Sequence, residues 1–422
     1  MAHAVTHDPT GHGLTVLLIG NYACDRQESM QRFAKVLAEG LPKHGVEVIV
    51  CNPAPFFGRL RPSSVGLGKW LGYIDKFVIF PALLSRQISI LQTRCPGTDR
   101  SFVVHICDHS NAVYVRYLSK VRHLVTCNDL LAIRSARGEI KQNVTRWSGR
   151  FLQKMILAGL NRAQRAACIS EATRRDLLRV SKLSPSRVGV IYMGQNHPYS
   201  PVPSASARTR IARKLDGQRI SDFAFILHVG GNHWYKNRRG VLEIYAAART
   251  LMASIGTATL PKLVMIGPAP TSEMNAVLDR HTELKAEIVF LQDITNEELE
   301  AFYSAAELLL FPSLEEGFGW PISEAQACGC RVVTTGKAPM TEVGGDAAAY
   351  LSPAHVDGSS AEGFGRAARS VAEILSEDRL SRQRRIELGL KNAGRFSTDG
   401  MIRRYLETYR EIADGGTGPS LT

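Results

Sequence analysis

Residues 310–325 read LFPSLEEGFGWPISEA and place two carboxylates, Glu316 and Glu324, eight positions apart around a glycine-rich turn. The apolar run at 308–311 is typical of a buried parallel strand. The glycines of the turn let backbone amides approach a ligand, and the proline after them favours a helix start. The pattern therefore predicts Glu316 at the carboxyl end of a strand and Glu324 near the start of the next helix, where open α/β sheets bind ligands.

The two carboxylates suggest a ligand chemistry. Ionised carboxylates accept several hydrogen bonds at once, so this pair suits a ligand that carries two sets of vicinal hydroxyls. The competing interpretation is a capped helix that carries two solvated glutamates.

Strand-like and helix-like segments alternate in both halves of the chain. Apolar runs that resemble buried strands occur at 14–19, 101–107, 123–127, 223–229, 262–266 and 287–291. A proline-containing linker interrupts the pattern near 192–203. Such alternation predicts an α/β fold with two doubly wound parallel sheets.

The glutamates also carry a family resemblance. Glu316, seven residues and Glu324 resemble the motif of retaining glycosyltransferases of family 4 (glycosyl transferases group 1), and the similarity covers most of residues 220–410. This resemblance implies the GT-B architecture, in which two Rossmann-like doubly wound domains face a central cleft. It divides the chain into a disordered N-terminus (1–13), an acceptor-binding domain (14–200), a nucleotide-sugar-binding domain (201–398), a helix that crosses back to the first domain (399–413) and a disordered tail (414–422).

The resemblance also implies roles for individual residues. Glu324 would bind the ribose diol and Glu316 the hydroxyls of the transferred sugar. The donor-binding residues that it implies are Gly230, Gly231, Lys236, Glu316, Gly317, Phe318, Gly319, Trp320 and Glu324, and the catalytic ones are His109, Lys236 and Glu316. Asp108, Asp129 and Arg134 are further candidates on the acceptor side.

A glycine turn followed by a lysine, at Gly230, Gly231 and Lys236, resembles the diphosphate clamp of this family. The family clamp pairs the lysine with an arginine, but neither Gly231 nor Tyr235 is basic here. Arg238 takes that place, or one charge of the clamp is missing. No Asp-x-Asp triplet occurs in the chain. We therefore expect no metal and no cofactor, with a nucleotide diphosphate sugar as the donor substrate.

The positive charge is concentrated in one half of the chain. Residues 1–203 hold 27 lysines and arginines against 12 acidic residues, whereas the remainder holds 25 against 27. This asymmetry indicates an anionic partner, either a phosphate-bearing acceptor or the inner face of a membrane. Residues 66–81 are either a buried helix or a membrane-facing surface. We see no nucleic-acid-binding signature and no signal peptide, so we expect no nucleic-acid partner and a cytoplasmic location.

The sequence thus predicts a retaining hexosyltransferase that acts on a saccharide or lipid-linked saccharide acceptor during surface polysaccharide assembly. Two alternatives stay open. One is a catalytically silent subunit that binds sugar nucleotides, because the clamp arginine is absent from its usual place. The other is a phosphorylase-like GT-B enzyme, which would need a lysine bound to pyridoxal phosphate.

Overall fold

The computed structural model describes residues 13–25, 28–59, 67–95, 100–214, 224–254 and 261–415. The ends predicted to be disordered, 1–13 and 414–422, lie mostly outside these ranges. Gly13, however, is the first residue of a strand, and residues 414–415 form a turn.

The strands are β1 (Gly13–Ile19), β2 (Glu47–Val50), β3 (Arg100–Ile106), β4 (His123–Cys127), β5 (Arg165–Cys168), β6 (Val188–Val190), β7 (Phe225–Val229), β8 (Lys262–Ile266), β9 (Ile288–Leu291), β10 (Leu308–Phe311), β11 (Val332–Thr335) and β12 (Ala349–Leu351). The helices are α1 (Glu28–Gly40), α2 (Leu67–Ile74), α3 (Phe80–Arg94), α4 (Leu131–Ala136), α5 (Trp147–Leu160), α6 (Glu171–Val180), α7 (Ser204–Lys214), α8 (Arg238–Ser254), α9 (Ser272–Arg280), α10 (Asn296–Ala305), α11 (Trp320–Ala327), α12 (Met340–Gly344), α13 (Ala361–Leu375), α14 (Arg379–Ala393) and α15 (Thr398–Ala413).

The chain divides into two compact units. The first unit consists of Met1–Asn196 together with Thr398–Thr422, and the second unit of His197–Ser397. In the described part of the chain, each unit holds one six-stranded parallel sheet. The prediction of two doubly wound α/β domains is confirmed.

The strand order of each sheet reverses at one point. The first sheet has the order β2-β1-β3-β4-β5-β6, and its order reverses between β1 and β3. The second sheet has the order β12-β11-β10-β7-β8-β9, which is the order of a dinucleotide-binding sheet, and it reverses between β7 and β10. In open α/β sheets, ligands bind beyond the carboxyl ends of the strands at such a reversal. The loops after β7 and β10 are therefore the expected site in the second unit.

The central strands of both sheets are buried and rich in apolar residues. Every residue of β4 and of β10 is buried, as strands covered by helices on both faces must be. Separate apolar clusters surround the two sheets, one from residues of the first unit and one from residues of the second. Each unit therefore has a hydrophobic core of its own.

The last helix, α15, packs on the sheet of the first unit. Tyr409 Oη lies 2.7 Å from His105 Nδ1, and the Nε2 atom of this histidine lies 2.8 Å from Thr126 Oγ1. Tyr405 Oη lies 2.9 Å from the same threonine oxygen. All four side chains are buried. A buried polar network thus joins α15 to β3 and β4.

A long helical segment connects β2 and β3. It consists of α2, a π-helical turn at Asp75–Ile79, and α3. Asp75 is buried and accepts a hydrogen bond from Tyr22 Oη at 2.8 Å, whereas Trp70 is 68% exposed and Val78 is 65% exposed. This segment therefore has one buried side and one exposed apolar side, and residue 66 of the predicted range lies outside the described residues. Among the described helices, none has the length and apolarity that crossing a bilayer requires.

Candidate functional site

The loops after β7 and β10 are fastened to each other at the reversal of the second sheet. The backbone N–H of Leu314 donates to the carbonyl oxygen of Tyr235 at 2.8 Å. Asn237 Nδ2 donates to the carbonyl oxygen of Pro312 at 3.0 Å, while Asn237 Oδ1 accepts from the N–H of Gly240 at 3.2 Å. One asparagine thus caps α8 and holds the two loops together.

Lys236 and Glu316 meet across this reversal. Lys236 Nζ lies 2.7 Å from Glu316 Oε1, and the two side chains are 17% and 7% exposed. The lysine nitrogen also lies 5.2 Å from the centre of the Phe311 ring. Two residues that the sequence selected separately therefore form one partly buried ion pair. Such a pair offers a cation and a hydroxyl acceptor to the same ligand.

Glu324 lies on α11 and is 5% exposed. Its Oε2 accepts a hydrogen bond from Tyr303 Oη at 2.9 Å. Burial, and then the nearby Glu324 carboxylate, raise the pKa of Tyr303 well above its usual value, so the tyrosine stays a neutral donor. Tyr303 was not predicted, because nothing in its own helix marks it as a partner of Glu324.

The turn before α11 has the predicted glycine conformation. Gly319 has a φ of 102°, in the left-handed region that favours glycine, and its helix has no side-chain N-cap. The Phe318 ring is buried, and its centre lies 5.3 Å from that of Phe396 in an edge-to-face contact. Phe318 therefore offers a ligand its backbone rather than its ring. Gly317 and Trp320, on either side, are half-buried.

The two glycines after β7 differ in how closely other atoms of the protein approach them. A Cβ atom on Gly230 would lie 3.1 Å from His228 Nε2, which is closer than nearly all side chains tolerate. Gly231 is half-buried and has no such neighbour within the same distance. Of the two predicted glycines, Gly230 therefore has the stronger structural reason to be glycine.

Arg238 is a buried cation in this loop region. It is the first residue of α8 and is 4% exposed. Its Nη1 donates to Asn232 Oδ1 and, at 2.7 Å, to the carbonyl oxygen of Pro268. Within the described ranges, its Nε and Nη2 have no hydrogen-bond partner. Burial lowers the pKa of Arg238, and the N-terminus of a helix is unfavourable for a positive charge. A bound anion would offset both costs.

His228 is a second buried group that the sequence did not single out, although it interrupts the apolar run of β7. Its Nδ1 lies 2.9 Å from the carbonyl oxygen of Leu310, so Nδ1 carries the proton and donates. Burial lowers the pKa of His228 to about 3, with Arg238 and Lys236 adding to the shift. The imidazole is therefore neutral and ties β7 to β10.

The first unit has its own polar cluster, at the reversal between β1 and β3. Asn21 Nδ2 donates to Asp108 Oδ2 at 2.6 Å, and Asn111 Nδ2 donates to the carbonyl oxygen of Gly20 at 3.2 Å. His109 Nδ1 lies 3.2 Å from Asp108 Oδ1. All these side chains are buried. The predicted residue His109 thus lies beside a hydrogen-bonded cluster, in close contact with Asp108.

The charges of this cluster stabilise each other. Burial would raise the pKa of Asp108, but attraction to His109 and hydrogen bonds from Ser110 and Asn21 lower it well below its usual range. Burial would likewise lower the pKa of His109, but Asp108 and then Asp129 raise it above its usual value. Each side chain of the pair therefore favours the charged form of the other.

The other acceptor-side candidates have local structural partners. Asp129 Oδ1 accepts from the N–H of Leu131 at 3.0 Å at the start of α4. Arg134 Nη1 lies 3.2 Å from Asp176 Oδ2, and Arg134 Nε lies 3.6 Å from Glu139 Oε2. These contacts account for both residues without a ligand. Across the described part of the chain, no three metal-ligand side chains come together.

Two protein-family models match the chain. The model described as glycosyl transferases group 1 matches residues 224–372, and the model described as glycosyltransferase family 4 matches residues 30–197. The first match contains Lys236, Glu316 and Glu324, and the second contains His109.

Curated proteins are similar over part of their length. The O-antigen chain mannosyltransferase B of Escherichia coli is 25% identical over 263 residues, which are 62% of this chain and 64% of that protein. The D-inositol 3-phosphate glycosyltransferase 1 of Catenulispora acidiphila is 29% identical over 252 residues, 57% of this chain and 56% of that protein. The chain thus spans between half and two thirds of these relatives.

Solved structures are similar over nearly the whole chain. Sucrose-phosphate synthase from Thermosynechococcus elongatus has a TM-score of 0.69 at 16% identity, over 96% of this chain and 100% of that one. Anabaena HepE, solved in complex with UDP and glucose, has a TM-score of 0.63 at 15% identity, over 94% and 99%. At these identities the likeness concerns the fold.

Proposed function

The chain belongs to the glycosyl transferases group 1, family 4, and from this premise we propose that it is a retaining hexosyltransferase. Its donor would be a nucleotide diphosphate sugar, and its acceptor a saccharide or a lipid-linked saccharide. The name of the O-antigen relative supports a role in surface polysaccharide assembly.

We assign donor binding to the second unit. Glu324 takes the ribose diol, because a buried carboxylate that already accepts from Tyr303 is fixed in position for further hydroxyl donors. Glu316 takes hydroxyls of the transferred sugar, and Lys236 takes the diphosphate. The N-terminus of α11 supports this assignment, since the dipole of a helix favours negative charge, such as that of phosphate oxygens, near its N-terminus.

We further assign Arg238 as the second cation for the diphosphate. Its unpartnered Nε and Nη2 atoms, its burial and its place at a helix start are all unfavourable without an anion. A diphosphate would supply both the counter-charge and the missing acceptors. Arg238 would thus serve as the arginine of the diphosphate clamp, which the sequence does not supply at its usual position.

The proposed chemistry relies on charge rather than on an enzymic nucleophile. When the bond from the anomeric carbon to the phosphate oxygen breaks, negative charge grows on the diphosphate. Fixed cations at Lys236 and Arg238 stabilise that charge more in the transition state than in the ground state. We propose attack by the acceptor hydroxyl on the face that the diphosphate leaves, with a phosphate oxygen taking the hydroxyl proton. This route retains the anomeric configuration.

We assign the acceptor to the first unit, with His109 as the group that contacts the reacting sugars. Its contact with Asp108 supports this role, since a carboxylate beside Nδ1 fixes the orientation of the imidazole ring. We also propose contact with an anionic membrane at its inner face. The exposed apolar face of α2 and the following π turn, together with the net positive charge of residues 1–203, supports such a contact.

The main support for the proposal is the contact of Lys236 with Glu316. Their Nζ and Oε1 atoms lie 2.7 Å apart at the reversal of the second sheet. The experiment is a screen of UDP, GDP and ADP sugars for release of nucleoside diphosphate, with saccharide acceptors present and excess chelator in a parallel series. We expect one donor class to react, with turnover maintained in chelator and with a product of unchanged anomeric configuration.

Other outcomes of this screen would contradict the proposal. Donor binding without any release of nucleoside diphosphate would favour a catalytically silent subunit. Loss of activity in chelator, restored by magnesium or manganese, would exclude the cation mechanism. A pyridoxal phosphate absorbance band in the purified protein would indicate the phosphorylase-like alternative.

A further inference from the structure

A basic cavity of about 690 Å³ lies in the first unit, apart from the polar cluster around His109. We call it the basic pocket. Its lining contains five cationic side chains and no carboxylate: Arg116, Lys120, Arg122, Arg162 and Arg187. The donor and acceptor roles proposed above use none of them.

The basic pocket lies at the amino ends of three neighbouring strands. Its lining residues come from the segments that precede β4, β5 and β6, which are adjacent and parallel. The cluster of Asp108 and His109 follows the carboxyl end of β3. The pocket and the candidate acceptor site therefore lie at opposite edges of the same sheet.

The floor of the basic pocket is fixed by two reciprocal hydrogen bonds. The backbone N–H of His123 donates to Gln164 Oε1 at 3.0 Å, and the backbone N–H of Gln164 donates to His123 Nε2 at 2.9 Å. His123 Nδ1 lies 2.8 Å from the carbonyl oxygen of Val121. Burial lowers the pKa of His123, so this ring is a neutral support. The loops that carry Arg122 and Arg162 are thereby held together.

The five cations of the basic pocket are not neutralised by the protein. Among the residues that the structure describes, none of the five forms an ion pair with a carboxylate. By contrast, Arg179 of the same unit is paired, since its Nη2 lies 2.8 Å from Glu139 Oε2 and 2.9 Å from Asp176 Oδ1. Clustered like charges repel each other, and a multivalent anion would offset that repulsion.

The lining favours phosphate over nucleic-acid bases. Four of the five cations are arginines, whose planar forks match phosphate oxygens in pairs. The lining has no Phe, Tyr or Trp on which a base could stack, and both nitrogens of its histidine ring are already bonded. We propose that the basic pocket is a second anion site, which binds clustered phosphate groups of a soluble polyphosphate or of a lipid headgroup.

The test uses the full chain and a variant of the basic pocket with Lys120→Ser, Arg122→Ser and Arg162→Ser. His123 and Gln164 are kept so that the floor stays intact. One arm measures binding of inorganic tripolyphosphate by calorimetry at low salt, and the other measures sedimentation with vesicles that contain phosphatidic acid. Loss of three cations should weaken binding by about tenfold, since each exposed charge contact contributes modestly.

The matched control is a variant with Lys43→Ser, Arg59→Ser and Lys141→Ser. These three cations are exposed in the same unit and outside the basic pocket, so the control loses the same charge. Lys236 and Arg238 are unchanged in both variants, so any binding of tripolyphosphate at the donor site contributes equally. The result is thus independent of the proposed function.

Tripolyphosphate binding that only the pocket variant weakens supports the proposal and identifies a soluble anion. Vesicle binding that only the pocket variant weakens, without tripolyphosphate binding, supports a lipid headgroup. Equal weakening in both variants, or no binding in either arm, overturns the proposal. Binding of single-stranded DNA that needs the pocket cations and is not displaced by tripolyphosphate overturns it in favour of nucleic acid.

Discussion

Glu316 and Glu324 differ in what already contacts them. Glu316 faces the Lys236 ammonium, whereas Glu324 accepts from the neutral Tyr303 hydroxyl. Removing the charge of Glu316 therefore releases a cation, and removing that of Glu324 does not. This difference makes the two proposed roles separable by experiment.

We expect Glu324→Gln to weaken the donor and the free nucleoside diphosphate alike, by roughly tenfold or more, because charged hydrogen bonds to the ribose are lost. Glutamine still accepts from Tyr303, so the fold should be kept. Glu316→Gln should leave nucleoside diphosphate affinity unchanged or tighter, since Lys236 is released, and should lower turnover. Calorimetry and donor kinetics measure both. Equal loss of nucleotide affinity in the two variants would show that the roles are wrongly divided.

Arg238→Gln should reduce affinity for the nucleoside diphosphate by about tenfold and leave affinity for the nucleoside unchanged. The folded protein should not lose stability, because the variant removes a buried charge without a counter-charge. Calorimetry with the two ligands, and thermal unfolding without ligand, check this. A purely structural arginine would give the opposite pattern, with lower stability and no dependence on the phosphates.

The sequence identified Lys236, Glu316 and Glu324 because their types and spacing resemble a known motif. It could not indicate that Lys236 contacts Glu316, since that contact joins residues far apart in the chain and depends on the strand order. The sequence also could not indicate that Arg238 is buried, because an arginine at a helix start is ordinarily exposed.

At the scale of the element, the exposed face of α2 and the following π turn tests the membrane proposal. Trp70→Ser with Val78→Ser should reduce sedimentation with phosphatidylglycerol vesicles by at least tenfold, since each apolar side chain contributes about 1.5 to 3 kcal/mol when buried. Thermal stability should not change, because both side chains are exposed. Val144→Ser, at another exposed valine, is the control. An equal loss in the control would contradict a specific membrane face.

Attachment of α15 depends on buried polar groups as well as on apolar packing. Tyr409→Phe leaves His105 Nδ1 without its partner, which should lower the free energy of unfolding by about 1 to 3 kcal/mol. Tyr350→Phe removes an exposed hydroxyl contact and should change it by less. Urea unfolding compares the two variants. Equal effects would show that the hydroxyl of Tyr409 is dispensable.

Long apolar runs such as those of β1 and β10 were predicted well, because a strand buried on both faces needs continuous apolar residues. The short strands β6 and β12 were missed, since three residues carry little pattern and neighbouring strands supply their pairing. The apolar spacing of residues 147–166 predicts one amphipathic helix, but α5 ends at Leu160, because residues from Arg165 onward join the sheet.

At the scale of the whole molecule, both sheets bury neutral histidines, namely His105 and His123 in the first and His228 in the second. Burial lowers the pKa of His105 to about 3, and likewise that of His228. Below a pH of about 6.5 the unfolded chain binds protons at these residues and the folded chain does not. The free energy of unfolding therefore decreases as the pH is lowered. The raised pKa of His109 acts in the opposite direction, because its stabilising charge is complete at low pH.

We therefore expect the second unit to lose stability between about pH 7 and about pH 5, by on the order of 2 kcal/mol for His228, whereas His109 opposes the loss in the first unit. Urea unfolding at the two pH values measures the loss. His228→Asn should reduce the pH dependence of the second unit only. If this variant kept the full pH dependence, another group would be responsible.

The placement of α15 affects how damage to the gene would appear in the protein. A stop codon directly after Ser397 would spare every residue of the second unit, yet it would remove the helix that covers His105 and Thr126 in the first. Lesions within the codons of α15 should therefore disable the unit whose other residues are translated before the second unit. By the same logic, the second unit is one uninterrupted stretch of codons, whereas the first must be assembled from the two stretches that flank it.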